Sequence, residues 1–377
     1  MKQLYNSKHL NLVKSLQIVA FDNPNPPDYG GAVEIFYKLE AFHSLGVKID
    51  LHLFTYGERK DYTLLDEFCE QIYFYKRNMS ASSLLSSKPF IVKSRETPEL
   101  LENLSQKQSP ILFEGIHCCA YLHRKELSNH FKIVRMHNVE HDYYEGLSRA
   151  SSNILKKKYF QSEAQKLKKF EAQLTHANQI LAITEKDANH FQAYSKTLWI
   201  PPFGKPFLKV DSTEEYVLFH GNLSVAENYE AANLLVENVF EQVDSKVIIA
   251  GKSPHSSLAS AVKKKGGVEL ISNPDQQEME RLITNARCHV FYTNQNTGIK
   301  LKLVHAIQTS GHIVMNLEML FDDSYINEVE LANSWEEMIS AINSCVKSEI
   351  PKQRDGMRSL FNNENNAMQI LKLAELG

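Results

Sequence analysis

The chain has 377 residues, of which 43% are apolar and 23% charged, a composition that suits a globular protein of two or three domains. Lys and Arg total 42 against 45 Asp and Glu, and the resulting formal charge of -3 argues against an extended nucleic-acid surface. Five cysteines (Cys69, Cys118, Cys119, Cys288 and Cys345) form no CxxC pair, so the usual zinc spacing is missing and a reducing compartment fits better than a disulfide framework. Residues Met1 to Lys14 are polar and lack the apolar core of a signal peptide. No apolar run approaches the ~20 residues of a membrane span, and the expected location is cytoplasmic.

Short apolar strands alternate with longer helical patterns from end to end. Leu16 to Phe21 is rich in β-branched and aromatic residues and predicts a buried strand. Ala32 to Leu45 carries helical periodicity, and Gly46 is a natural residue to follow it. Val47 to Phe54 alternates as a strand. Pro110 to Phe113, Lys132 to Met136, Gln179 to Ala182 and Thr197 to Ile200 predict further strands. Thr184 to Asp187 resembles a capping box that opens a helix to Phe191.

The composition then shifts. Pro201 to Pro206 suits neither helix nor central strand, and Asp211 to Glu215 is polar, so a linker is expected here. Alternation resumes with strands at Tyr216 to Phe219, Lys246 to Ala250, Val268 to Ile271, Cys288 to Tyr292 and Ile313 to Met315. Helices are expected at Val225 to Val243, up to Lys265, and after a second capping box at Asp275 to Glu278. A final helical stretch, Lys352 to Leu376, is long enough to cross back onto the first domain. Strands separated by helix-length segments predict parallel sheets. The expected architecture is α/β, with two doubly wound parallel-sheet (Rossmann-like) domains facing across a cleft, at 1–203 and 204–351.

Four segments carry candidate chemistry. The loop after the first strand ends in Tyr29-Gly30-Gly31, where glycines let backbone approach a ligand, although a plain turn reads equally well; it is not GxGxxG. His220-Gly221-Asn222 links a strand to a helix with Ser224 as an expected cap. Thr297, Gly298, Ile299, Lys300 and Lys302 open a short helix that Gly311 is expected to stop; free N–H groups and two cations there suit a ligand phosphate, against the alternative of solvated lysines. His137 follows a strand and Glu140 follows it closely, while His117 follows Glu114-Gly115. Such histidines either meet a substrate hydroxyl or serve structure. The helix at 154–170 bears Lys156, Lys157, Lys158, Lys166, Lys168 and Lys169, with an apolar stripe of Leu155, Tyr159, Leu167 and Phe170. It reads as a solvated face or, more sharply, as a contact for anionic lipid headgroups.

As a set, the loop at 26–31, His137, the Phe219 to Leu223 segment and the Gly298 to Val314 segment resemble the nucleotide-sugar-dependent glycosyltransferases of the GT-B fold, specifically the large retaining group 1 family. The resemblance covers nearly the whole chain. It implies transfer of a sugar from a nucleotide-diphosphate donor, UDP- or GDP-linked, to a glycan or lipid-linked acceptor, with retention, no permanently bound cofactor and no metal. It implies catalytic roles for His137 and Lys300, donor contacts from Gly30, Gly31, Gly221, Asn222, Gly298, Ile299 and Lys302, and acceptor contacts from Tyr29, His117 and Glu140. Many members of the family carry Arg where Asn222 stands, Lys where Asn228 stands, and Glu at the positions of Thr297 and His305. Lys300 and Lys302 are expected to supply the missing positive charge. Two alternatives remain beside the transferase: a non-catalytic sugar- or nucleotide-binding protein on the same scaffold, and a nucleotide-sugar epimerase.

Overall fold

The computed structural model describes residues 14–55, 57, 59–151, 153–207, 214–294, 299–349 and 351–375. The chain divides into two compact units, one of Met1–Phe203 with Asn363–Gly377 and one of Gly204–Asn362. Thr297 and Gly298, two residues singled out by sequence, lie outside the described residues.

Among the described residues, the first unit has seven parallel strands: β1 (Ser15–Ala20), β2 (Lys48–Thr55), β3 (Gln71–Lys76), β4 (Ile111–Glu114), β5 (Lys132–Met136), β6 (Gln179–Ala182) and β7 (Thr197–Trp199), ordered β3-β2-β1-β4-β5-β6-β7. Alternate residues feed two cores. Leu16, Ile18 and Ala20 of β1 join the helices Gly30–Ser44 and Asn363–Glu375, whereas Val19 joins Phe113, Val134 and Leu167 on the opposite face. A strand buried on both faces reads as a near-continuous apolar run, which in β1 is interrupted by the buried Gln17. β3 was not expected: it lies at the sheet edge, and only Tyr75 along it is buried.

Among the described residues, the second unit has six parallel strands: β8 (Glu214–His220), β9 (Lys246–Gly251), β10 (Val268–Ser272), β11 (Ala286–Phe291), β12 (His312–Met315) and β13 (Glu330–Leu331), ordered β10-β9-β8-β11-β12-β13. Val217 and Phe219 pack with the helices Ala226–Asn238 and Trp335–Lys347, and Tyr216 and Leu218 pack toward Leu282 and Ile283 on the other face.

Both sheets reverse their winding, between β1 and β4 and between β8 and β11. Open α/β sheets bind ligands beyond the strand carboxyl ends at such switch points. The expectation for the end of the chain needs correction. The single helix expected over Lys352 to Leu376 is two helices, Asp355–Leu360 and Asn363–Glu375; the first lies in the second unit and the other packs on the helix Gly30–Ser44. The break falls at Phe361-Asn362, where Phe361 turns into the apolar cluster of Met357 and Leu320.

Candidate functional site

At the first switch point the helix Gly30–Ser44 presents Glu34 and Lys38, one turn apart, to the sheet rather than to water. Lys38 Nζ lies 2.7 Å from Glu114 Oε1 at the end of β4 and 3.0 Å from Glu34 Oε1. Arg135 of β5 places Nε 2.8 Å from Glu34 Oε1, and its Nη atoms donate to the carbonyls of Ile200 and Pro201. Two carboxylates and two cations, all nearly fully buried, thus balance in charge. Burial alone would raise the Glu34 pKa, but Arg135 and then Lys38 outweigh it and hold the carboxyl down at about 2. Glu114 is likewise held below its ordinary range: burial pushes up, and Lys38 and His137 prevail.

His137, just past β5, hydrogen-bonds through Nε2 to Glu114 Oε2 at 2.9 Å. With a carboxylate as partner, Nε2 is the donor of this bond. Phe21, just past β1, stacks on His117 at 4.9 Å and meets the His137 ring edge-on at 5.4 Å. Two glycines are required here. A Cβ on Gly31 would come within 2.7 Å of the Phe21 ring, and Gly115, at φ +70°, would bring one within 2.8 Å of His117 Nδ1. Glu140, the first residue of the helix Glu140–Ala150, is buried 3.9 Å from His117 Nε2. Burial lifts its pKa to about 8 against the opposing pull of Arg95, so the carboxyl is largely neutral at pH 7. Burial, with help from Arg95, pushes His117 the other way, well below its usual range, and it too is neutral.

Tyr29 immediately precedes the helix that opens at Gly30 and donates to Asp22 Oδ2 at 2.8 Å. Arg59 secures this loop, with Nη1 2.6 Å from Asp28 Oδ1 and its guanidinium 5.1 Å from the Tyr29 ring. The expected helix start at Ala32 moves back to Gly30, so the two glycines form its first turn.

At the second switch point His220 ends β8, buried, with its ring 5.6 Å from that of Phe291 at the end of β11. Burial first, then His289, His305 and Lys302, push its pKa well below the usual value. Gly251 is forced to be glycine, because a Cβ there would sit 1.9 Å from the Gly221 carbonyl oxygen. Asn222 Oδ1 accepts from the Ser224 amide and hydroxyl at 3.1 and 2.7 Å. The helix therefore starts at Ala226 with Val225 as its flanking residue, and Ser224 is not the cap that the sequence suggested.

Lys302 Nζ donates to Asn228 Oδ1 at 2.7 Å and sits over the rings of Phe219 and Phe291, at 5.2 and 5.9 Å. Burial, and to a lesser degree Lys300, bring its pKa down to about 8, with Glu227 opposing. Lys300 is not within the first helical turn, as expected, but is the residue flanking the helix Leu301–Ile307, and its Nζ is 2.8 Å from Glu227 Oε1. Thr293 donates to the same oxygen at 2.6 Å. That helix ends at Ile307, four residues before Gly311, with the Thr309 amide and hydroxyl both turned back to the Ala306 carbonyl. Ile299 is buried beside Leu303, Val304 and Phe291. The two lysines thus reach neighbouring residues, Glu227 and Asn228, at the start of the helix Ala226–Asn238.

No protein-family model matches the chain. It is 27% identical over 319 residues, 79% of this chain and 81% of the relative, to an uncharacterized 44.6 kDa protein in the cps region of Klebsiella pneumoniae. Three solved structures share its architecture: S. aureus TarM in complex with fondaparinux, alpha-GlcNAc-glycerol and UDP (TM-score 0.63, 11% identity, 96% of this chain and 99% of that one), Anabaena HepE in complex with UDP and glucose (0.59, 11%, 96% and 98%), and a sucrose-phosphate synthase from Thermosynechococcus elongatus (0.60, 13%, 96% and 97%). The fold is that of the GT-B glycosyltransferases. At such identities the likeness is one of fold, and the two strand-end clusters are this chain's own.

Sequence reasoning missed Glu34, Lys38, Glu114, Arg95 and Glu227. A Glu and a Lys four apart in a helix read as a solvated pair. The one available signal was the apolar residues leading into the charges, Ile111 to Phe113 before Glu114 and Ile133 to Val134 before Arg135. Along the helix Ile154–Phe170, Leu167 is buried and Phe170 packs against the core, whereas Ile154 and Leu155 are 70% and 79% exposed beside Lys156 to Lys158.

Proposed function

We propose that the chain is a retaining, metal-independent glycosyltransferase that moves a hexose from a UDP- or GDP-sugar to a glycan or lipid-linked acceptor in polysaccharide biosynthesis. The supporting observation is the cationic, partly desolvated cluster of Lys302 and Lys300 at the β8/β11 switch point, on a fold shared with structures described as holding UDP. An acceptor hydroxyl attacks the anomeric carbon while the nucleotide diphosphate leaves. The leaving diphosphate then gathers negative charge, and preorganised cations stabilise it most where water is scarce. Lys302, poised near its pKa, gains its full charge when an anion arrives. Lys300 exchanges Glu227 for phosphate, while the amides opening the helix Ala226–Asn238 add their dipoles.

On the acceptor side, His137, held through Nε2 by Glu114, offers Nδ1 to a sugar hydroxyl. Glu140 in its neutral form can donate a hydrogen bond, and Tyr29 and His117 complete the surround. Exposed Ile154 and Leu155 with Lys156 to Lys158 suit peripheral contact with an anionic membrane, which serves a lipid-linked acceptor. The non-catalytic alternative draws on one observation: Glu227 already neutralises Lys300. A donor screen that follows nucleotide diphosphate release, with and without acceptor extracts, separates the readings. Release only with acceptor supports transfer, binding without release supports the carrier, and a changed sugar without release supports the epimerase.

A further inference from the structure

In the first unit a second cluster of titratable groups lies beside the candidate site. Glu171, where the helix Ile154–Phe170 ends, is fully buried, and among the described residues its partners are His141, His190 and Tyr194. His141 Nδ1 is 2.6 Å from Glu171 Oε1, His190 Nε2 is 3.0 Å from Oε2, and the Tyr194 hydroxyl donates to Oε2 at 3.0 Å. No Lys or Arg is among those partners. A carboxylate in such a place needs a positive charge, from a protonated imidazole or from a metal ion.

The donor set fits the second. One nitrogen of each histidine and one Glu171 oxygen lie within 4.8 Å of one another, so a single ion can reach all three. They come from three separate elements: the helix Glu140–Ala150, the turn Glu171–His176 and the helix Glu185–Phe191. His141 also has its free nitrogen, Nε2, 3.3 Å from Asp142 Oδ1, the outer carboxylate that typically orients a metal-bound imidazole. Two imidazoles and a carboxylate suit zinc, with the Tyr194 hydroxyl or water as fourth ligand. Counting cysteine pairs could not have found ligands assembled this way.

We propose that His141, Glu171 and His190 form a zinc site that pins the start of the helix Glu140–Ala150, and with it the segment bearing His137 and Glu140. The ion would act on structure, outside the transfer chemistry, so its binding is measured without any sugar substrate.

The test uses the full, untagged chain. Zinc content is measured by mass spectrometry after chelation and reloading, affinity by competition with a fluorescent chelator, and coordination by the visible spectrum of the cobalt form. The expected result is one zinc per chain and a four-coordinate cobalt spectrum. His190→Ala, at the most exposed ligand, should lose the spectrum and weaken zinc by more than the ~100-fold that losing an outer partner can cost. Glu171→Gln should do the same. Zinc below half-stoichiometry, or equal binding by wild type and His190→Ala, would overturn the site and leave a histidinium-bridged hydrogen-bond network in its place.

Discussion

Glu140→Gln isolates the price of burying a carboxylate at the candidate acceptor side. Burial lifts the Glu140 pKa from its ordinary 4.5 to about 8. Folding therefore holds on to a proton that the unfolded chain releases. The sign follows from linkage: stability falls as pH rises from about 4.5, and the loss is complete once pH passes about 8. At about 1.4 kcal/mol per pH unit, the displacement amounts to roughly 4–5 kcal/mol as an upper bound. Glutamine keeps the shape and has no charge to bury, so the variant should match wild type at pH 5 and exceed it by several kcal/mol at pH 8.5. Urea unfolding of the first unit can be followed by Trp199, which packs against that unit's core, after Trp335→Phe silences the tryptophan of the second unit. Buried neutral His117 also makes stability depend on pH, in the opposite sense, but it contributes equally to both proteins and cancels in their difference. A difference that stays flat from pH 5 to 8.5 would refute the reasoning.

Lys38→Met leaves Glu34 and Glu114 buried side by side with one cation fewer, and should cost about 3–5 kcal/mol in the same assay; a loss below 1 kcal/mol would mean that the buried network contributes little. Lys302, with a folded pKa of about 8 instead of its ordinary 10.5, is charged below pH 8 and neutral above it. Donor affinity should therefore fall as pH rises through about 8, binding near that pH should take up a proton detectable as a buffer-dependent enthalpy, and Lys302→Met should abolish both effects. Lys300→Ala should lower turnover far more than Lys157→Ala; equal effects would remove Lys300 from the site.

The fold was legible where burial leaves no choice of residue. β1, β5 and β11 are marked by the apolar residues Leu16, Ile18 and Val19, Ile133 and Val134, and Val290 and Phe291, with polar residues between them, and Thr184 and Asp275 cap their helices as their spacing implied, accepting from the Asp187 and Glu278 amides. Edge strands gave a weaker signal, because one face of β3 meets water and its tyrosines serve either environment. At the second switch point the helix start was displaced by local competition: the Asn222 side chain takes the Ser224 amide and hydroxyl, and Val225 rather than Ser224 flanks the helix. The strand-end histidine His137 could be read from its position, but the partner that orients it could not. Glu114 lies 23 residues earlier, and only the parallel pairing of β4 with β5 brings them together.

The central claim is that the second unit grips a nucleotide diphosphate with Lys300 and Lys302. Calorimetric titration of the full chain with UDP- and GDP-sugars at pH 7 tests it most directly. Saturable binding of one of them, lost in Lys302→Met and retained in Lys157→Ala, is the result expected here. Silence toward both at millimolar concentration, or binding indifferent to Lys302, would contradict it.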